Sequence, residues 1–222
     1  MNEFAAEAVT QLPIPWLSLL TFAPTLGALF IFLGRTTARR QEDGNVAPDV
    51  LVETDKNAKR VALLFTVGVF PADGGYQLVE DVPWFSGISY KLGVDGISVL
   101  FVLLTTFFFP ICIIASWRSI NHRVADYMIA FLILETLVLG VFCALDLIVF
   151  YLFFEGSLIP MFLIIGVWGS KGDKLFAGYR LPSRVYAAVK FFLYTFVGSV
   201  LMLVAILWMY AETGTTDVPA LQ

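Results

Sequence analysis

The sequence predicts an all-α fold: a polytopic transmembrane helix bundle of about six helices. Of its 222 residues, 59% are hydrophobic and only 14% are charged, whereas soluble domains hold about 45–50% and about 25%. Several apolar runs reach about 18 residues, the length needed to cross about 30 Å of hydrocarbon. The runs are apolar on all sides, as over residues 101–109, whereas barrel strands alternate apolar and polar positions. The chain is therefore expected to cross the membrane through helices.

Five long spans follow in order along the chain. They cover residues 12–34, 93–117, 126–145, 147–168 and 185–210, and each is close to the length that a bilayer requires. Asp95 precedes the second of them and is expected to cap its helix start. A sixth apolar run, residues 61–70, reaches only about 15 Å and cannot span as written. We expect it to be a truncated span.

Charge predicts the orientation of these spans. The Lys and Arg residues lie mainly in residues 35–60 and in the segments that follow spans 93–117 and 147–168, whereas the intervening segments are mainly acidic. Basic segments face the cytoplasm, so residues 35–60 form a cytoplasmic loop and the N-terminus lies outside. This arrangement requires a crossing near residues 61–70. We therefore expect about ten to twelve apolar residues to be missing between Phe70 and Pro71, and the chain to be cut short after Gln222.

Several functions are excluded by composition and motifs. The formal charge is −4 and no basic patch occurs, so nucleic acid is not an expected partner. Cys112 and Cys143 lie in apolar runs and do not form a disulfide framework. A single histidine, His122, gives no support for a metal site. No nucleotide-binding or haem-binding motif occurs, so no cofactor is expected in this chain.

Three ionisable residues lie inside the predicted spans: Glu135, Glu155 and Lys190. An ionised side chain at mid-bilayer costs at least about 2.5–3.5 kcal/mol, so such residues are functional candidates. Glu135 and Glu155 lie roughly 12–15 Å deep in consecutive spans. The two spans are joined by a short turn and are expected to form an antiparallel hairpin, with both carboxyls near the midplane.

The sequence leaves the partner of Glu155 open. Two carboxyls held close in a low dielectric cannot both ionise cheaply, so a Glu135 and Glu155 pair would exchange a proton near neutral pH. Lys190 could instead pair with Glu155 and keep it ionised. A third interpretation is structural, with Glu155 and Lys190 forming a static buried ion pair that fixes helix register.

Three motifs resemble one family. Residues 92–98 (LGVDGIS), 147–161 (LIVFYLFFEGSLIPM) and 190–195 (KFFLYT) are similar to subunit M, or chain 4, of proton-pumping NADH:quinone oxidoreductase, respiratory complex I. The resemblance implies the N-terminal portion of an antiporter-like fold. It implies that Glu155 belongs to a proton-translocating half-channel on the fifth helix, and it matches Lys190 to a lysine on the sixth.

The resemblance implies a membrane-arm subunit that takes part in proton translocation coupled to electron transfer from NADH to quinone. Glu155 would carry the proton, Glu135 would be a coupled acid, and Lys190 would tune or relay charge. NADH, FMN, iron–sulfur clusters and quinone would bind to partner subunits of a hetero-oligomer in the bacterial inner membrane. Two alternatives remain: a subunit of a multisubunit cation/proton antiporter, and a scaffold segment whose charges only lock helices.

Overall fold

The structure is a computed structural model. It describes residues 15–38, 75–85, 88–116, 119–120, 122–170, 172–176 and 179–221. Expectations for residues 39–74, including the short run 61–70 and the gap between Phe70 and Pro71, lie outside the described residues.

The described chain is mainly helical, which confirms the predicted fold class. The helices are α1 (Trp16–Ala38), α2 (Gly96–Ser116), α3 (Val124–Cys143), α4 (Leu147–Trp168), α5 (Ser183–Thr213) and the short α6 (Val218–Leu221). Helices α2 to α5 are each long and apolar enough to cross a membrane, and α1 carries the apolar segment Leu17–Leu29. The chain is therefore a multi-pass membrane protein.

Two antiparallel hairpins, which the sequence analysis did not predict, lie between the helices. Strands β1 (Gln77–Phe85) and β2 (Ile88–Val94) precede α2, and strands β3 (Asp173–Phe176) and β4 (Tyr179–Pro182) precede α5. A search for long apolar runs does not detect them, because short extramembrane strands carry mixed polar and apolar residues.

The first hairpin lies at one side of the bundle, here called the hairpin face, together with five helix ends: the starts of α1, α2 and α4 and the ends of α3 and α5. The Leu17 amide at the start of α1 donates to the Glu80 carboxylate over 2.6 Å. The Leu145 amide, between α3 and α4, donates to the Lys91 carbonyl over 2.9 Å, and the Leu147 amide donates to the Thr216 carbonyl beyond α5 over 2.9 Å. The opposite ends of these helices define the far face.

Ala38 and Gly75, the described residues on either side of residues 39–74, lie on opposite faces. Helix α1 leaves the hairpin face and runs antiparallel to α3, as the Thr25 to Thr136 hydroxyl hydrogen bond of 2.7 Å shows. Its 23 residues reach about 34 Å, the far side of a bilayer. Gly75 adjoins β1 on the hairpin face.

Helix α3 is central in the described bundle, because it contacts α1, α2 and α4, while α5 packs on the far side of α4. One apolar cluster joins α1, β2, α2, α3 and α4 near the hairpin face and includes Leu17, Leu92 and Phe153. A second cluster near the far face includes Ala28, Tyr127 and Met128. The apolar residues that face outward, such as Leu201 at 68% exposure, suit a hydrocarbon surrounding.

Candidate functional site

Glu135 and Glu155 lie at similar heights on the antiparallel pair α3 and α4. A methyl group added to Gly140 would overlap the Phe153 ring, and one added to Gly156 would lie 3.1 Å from a Leu137 methyl. These two contacts set the register, which brings residue 138 opposite Glu155. Glu135 is three positions from that level, about 4.5 Å along the axis.

Glu155 faces α5. Two contacts mark the side of α4 that packs on α5. A Cβ added to Gly166 would lie 3.5 Å from the Ala188 Cβ, and the Phe162 ring centroid lies 5.7 Å from that of Phe192. Phe162 and Gly166 follow residue 155 by two and three helical turns respectively, so they share its face of α4. Continued along both helices, this register places Ser199 opposite Glu155.

Glu135 faces α2 instead. Phe131 and Phe142 lie one turn before it and two turns after it on the same side of α3. Their rings pack on α2, on Phe109 at 5.9 Å and on Phe101 at 5.1 Å. Glu135 is buried, with 3% of its surface exposed. The two acids thus match in height but are directed into different helix interfaces, and the expected close pair of carboxyls does not follow from this packing.

One carboxylate oxygen of Glu155 is enclosed without a hydrogen-bond partner among the described residues. The neighbouring hydroxyls are engaged elsewhere, since Ser157 donates to the Phe154 carbonyl over 2.7 Å and Ser199 to the Phe196 carbonyl over 2.9 Å. A buried carboxylate oxygen without a partner is costly while the group is charged. An incoming hydrogen-bond donor would relieve that cost.

Pro160 changes the backbone hydrogen bonding of α4 close to Glu155 in the chain. Pro160 is inside α4 and has no N–H, so it cannot donate to the Gly156 carbonyl one turn earlier. That carbonyl belongs to the residue after Glu155. The carbonyl therefore lacks its usual intrahelical donor, which a membrane helix tolerates where a neighbouring group or water can meet it.

Lys190 lies away from both acids. It is exposed, whereas Ala188 and Ser199 on the same helix are buried. Lys190 comes two positions after Ala188 and nine before Ser199, so its side chain is about 160–180° from theirs around α5. The α4 to α5 register places it nine residues, about 14 Å, from the level of Glu155. Within the described residues its ammonium forms no ion pair and lies 5.9 Å from the Tyr186 ring centroid. The Lys190 and Glu155 pair considered from sequence is not formed in this packing.

A polar cluster on the hairpin face holds residues that sequence reasoning missed. Asp146 is 1% exposed and caps α4, accepting from the amides of Ile148 at 2.8 Å and Val149 at 3.2 Å. Its other oxygen accepts from the Thr216 hydroxyl at 2.5 Å. An aspartate directly before an apolar run is an N-cap signal that could have identified this role, but its contact with Thr216 has no sequence signal.

Glu80 performs a similar role for α1. Its carboxylate accepts from the Leu17 and Ser18 amides and from the Ser18 hydroxyl, and that hydroxyl lies 3.0 Å from the Tyr90 hydroxyl. Burial raises the pKa of Tyr90, the hydrogen bond to Ser18 lowers it in part, and the charge of Glu80 raises it further. Glu80 is thus a capping residue supplied by a strand.

The hairpin face also holds an ion pair and a third helix cap. Lys91 binds Asp217 through both carboxylate oxygens at 2.8 Å, which ties β2 to the segment beyond α5. Asp95 caps α2, because it accepts from the Ser98 amide over 2.7 Å while the Ser98 hydroxyl accepts from its amide over 2.8 Å. Among the described residues, no group of three His, Cys, Asp or Glu could hold a metal ion.

Two family models match adjoining parts of the chain. Residues 76–145 match NADH-ubiquinone oxidoreductase chain 4, amino terminus. Residues 144–222 match the transmembrane region of NADH:quinone oxidoreductase/Mrp antiporter. The first match covers the hairpin, α2 and α3, and the second covers α4 and α5 with Glu155 and Lys190.

Curated relatives agree with these models. The chain is 56% identical over 178 residues to NADH-quinone oxidoreductase subunit M of Rhodobacter capsulatus, a match that covers 75% of this chain and 32% of the relative. It is 42% identical over 207 residues to NADH-ubiquinone oxidoreductase chain 4 of Marchantia polymorpha, covering 92% of this chain and 39% of the relative. The chain thus spans about a third of the length of the first relative and about two fifths of the second.

Solved structures share the fold. A chain of respiratory complex I from Thermus thermophilus superposes with a TM-score of 0.68 at 24% identity, over 90% of this chain and 38% of that one. A chain of the Mrp complex from a Dietzia species superposes with a TM-score of 0.65 at 21% identity, over 89% and 20%. Family models, relatives and fold agree, and the chain belongs to the subunit M, or chain 4, family of NADH:quinone oxidoreductase.

Proposed function

We propose that this protein is part of a membrane-arm subunit of NADH:quinone oxidoreductase and takes part in proton translocation coupled to electron transfer from NADH to quinone. Its 222 residues form a single membrane domain. Glu155 is the proton-carrying acid. Glu135 is a second acid in a separate interface, and Lys190 is a charge on the opposite side of α5.

The observation that carries this proposal is the Glu155 carboxyl group. It lies within a spanning helix, faces α5, and has one enclosed oxygen without a hydrogen-bond partner in the described part of the chain. A group placed in this way is costly when charged and unsatisfied, and water or a proton lowers the cost. A carboxyl that alternates between these states can pass a proton along the α4 and α5 interface.

The relatives support the proposed partners, and the charge pattern supports the proposed orientation. The chain works within a hetero-oligomer of other membrane-arm subunits, and NADH, FMN, iron–sulfur clusters and quinone bind to other subunits. It lies in a bacterial inner membrane, with the hairpin face and the N-terminus on the periplasmic side and the basic far face in the cytoplasm. No redox step uses residues of this chain.

A second candidate is a subunit of a multisubunit cation/proton antiporter. It is favoured by the description of the family model over residues 144–222, which names the Mrp antiporter, and by the shared fold of the Mrp complex chain. Purification of the native assembly distinguishes the two. Flavin and iron–sulfur subunits that co-purify support the respiratory enzyme, whereas their absence with sodium-dependent growth supports the antiporter.

The test of the proton-carrying role is Glu155→Gln, which preserves the shape of the side chain but not its titration. In inverted membrane vesicles that receive NADH, we expect loss of most proton uptake and of coupled quinone reduction. The assembled complex, measured on native gels, should remain, as should NADH oxidation by a hydrophilic acceptor.

Glu212→Gln, at an exposed position near the end of α5, is the matched control and should pump normally. Normal pumping by Glu155→Gln would exclude the relay role. Loss of assembly in that variant would instead assign Glu155 a structural role.

A further inference from the structure

One buried hydroxyl group lies on the side of α5 that packs on α4. Helix α5 has three buried residues, Ala188, Ser199 and Ile206, and of these only Ser199 is polar. They follow one another by eleven and seven residues, so they form one stripe along the helix. Ala188 lies against Gly166 of α4. The stripe, with the Ser199 side chain, therefore faces α4.

Ser199 and Glu155 occupy matching positions on the two helices. Glu155 precedes Gly166 by eleven residues, and Ser199 follows Ala188 by eleven. Eleven residues are close to three full turns, so antiparallel helices that meet at Gly166 and Ala188 also face each other at Glu155 and Ser199. One Glu155 oxygen is enclosed without a partner among the described residues, and Ser199 is 3% exposed. A buried acceptor and a buried hydroxyl thus share one level of this interface.

Other described polar groups are less well placed to donate to this oxygen. Ser157 follows Glu155 by two residues on α4, so its side chain is about 160° away around the helix. Thr195 on α5 lies one turn, about 6 Å, from the level of Ser199. The Lys190 position is about 14 Å from that level and on the opposite side of α5. Ser199 fits Glu155 in both height and direction.

The Ser199 hydroxyl can change its acceptor at low cost. It donates to the Phe196 carbonyl over 2.9 Å, as serine often does within a helix. That carbonyl also accepts from the amide of residue 200 inside α5, so it stays hydrogen-bonded when the hydroxyl turns away. Rotation about χ1 moves the hydroxyl between staggered positions. A carboxylate is the better acceptor, because hydrogen bonds to a charged group are about twice as strong as neutral ones.

We propose that Ser199 donates a hydrogen bond to Glu155 when the carboxyl group is ionised, and returns to the Phe196 carbonyl when Glu155 binds a proton. This role rests on the proposed function of Glu155 as the proton-carrying acid and adds a second residue to that site. The hydroxyl keeps its own proton throughout, and only the carboxyl O–H bond breaks as its proton leaves along the α4 and α5 interface. Ser199 lowers the cost of the charged form and so favours proton release.

Ser199→Ala removes the donor and leaves the rest of the side chain in place. In inverted vesicles that receive NADH, we expect about tenfold slower proton uptake per assembled complex, because losing a hydrogen bond to a charged group changes a proton equilibrium by about tenfold or more. Ser199→Thr keeps a hydroxyl and should restore most of the rate. Ser157→Ala removes the same atom from another side of α4, is the matched control, and should pump as wild type.

Infrared difference spectra distinguish a hydrogen bond from a packing effect. The carboxylate bands of Glu155 are those that Glu155→Gln removes from the spectrum recorded when NADH reduces the complex. We expect these bands to shift in Ser199→Ala and to return to their wild-type position in Ser199→Thr. In Ser157→Ala they should not move.

Several outcomes overturn the role of Ser199 and leave Glu155 as the proton carrier. They are wild-type pumping by Ser199→Ala, unshifted Glu155 bands in that variant, and equal slowing by Ser157→Ala. Loss of assembled complex on native gels in Ser199→Ala, or no rescue by Ser199→Thr, would assign Ser199 a packing role. Normal pumping by Glu155→Gln would remove the proposed function and this role together, so the two failures are distinguishable.

Discussion

Phe153 occupies the space that Gly140 leaves on α3, so closely that a methyl group at Gly140 would overlap its ring. This contact and the contact of Leu137 with Gly156 fix the register of α3 and α4. The register in turn sets the heights of the two intramembrane acids, Glu135 and Glu155. Small residues at a membrane helix interface allow such approach.

Gly140→Leu should therefore separate α3 from α4. Overpacking of this kind costs about 1–3 kcal/mol, so we expect a lower thermal midpoint of the assembled complex and reduced pumping per complex. Gly96→Ala is the control, because a Cβ at Gly96 meets no atom within 4 Å and the variant should behave as wild type. An unchanged midpoint in Gly140→Leu would show that the two helices pack less closely than described.

Asp146→Ala should destabilise the hairpin face. It removes the cap of α4 and leaves the buried Thr216 hydroxyl without its acceptor, and loss of an N-cap costs about 0.5–2 kcal/mol. Asp146→Asn retains a capping oxygen and should lose less stability. Thermal unfolding in detergent measures both variants, and equal losses would mean that the charge, and not the cap, is what matters at this position.

Tyr90 should make the hairpin face sensitive to alkaline pH. Its pKa is raised from 10.0, chiefly by burial, so the folded state holds the phenol proton more tightly than the unfolded state. The resulting stability is present below the unfolded pKa and is lost as the pH rises through the folded one. We expect wild type to lose more stability than Tyr90→Phe as the pH rises above about 10, with phenolate absorbance as the direct readout. Parallel losses in the two proteins would contradict this.

Glu135→Gln should cause a smaller pumping defect than Glu155→Gln. Glu135 faces α2 and not the α4 to α5 interface, so its proton is not part of the path that we assign to Glu155. The measurement is NADH-driven proton uptake per assembled complex in vesicles. A defect as large as that of Glu155→Gln would show that the two acids act as one unit despite their different interfaces.

The long spans could be predicted from sequence because crossing hydrocarbon imposes a minimum apolar length. Helices α2 to α5 lie over their predicted positions within a few residues, and the similar height of Glu135 and Glu155 follows from the short turn between their helices. Length and apolarity are local properties. They need no knowledge of which helices are neighbours.

The direction in which each charge faces could not be predicted in this way. Apolar side chains suit both lipid and the bundle interior, so the hydrophobic pattern of a membrane helix does not show its inner side. The position of Lys190 depends on the contact of Ala188 with Gly166, and the cap of α1 depends on Glu80. Both are tertiary contacts between residues far apart in the chain.

The distance between Glu80 and the helix that it caps has a consequence for biosynthesis. Glu80 follows Leu17 by 63 residues, so α1 leaves the ribosome long before its capping carboxylate has been made. The first amides of α1 therefore lack this carboxylate partner until β1 arrives. Completion of the first helix thus depends on translation of the hairpin, which orders the early steps of insertion.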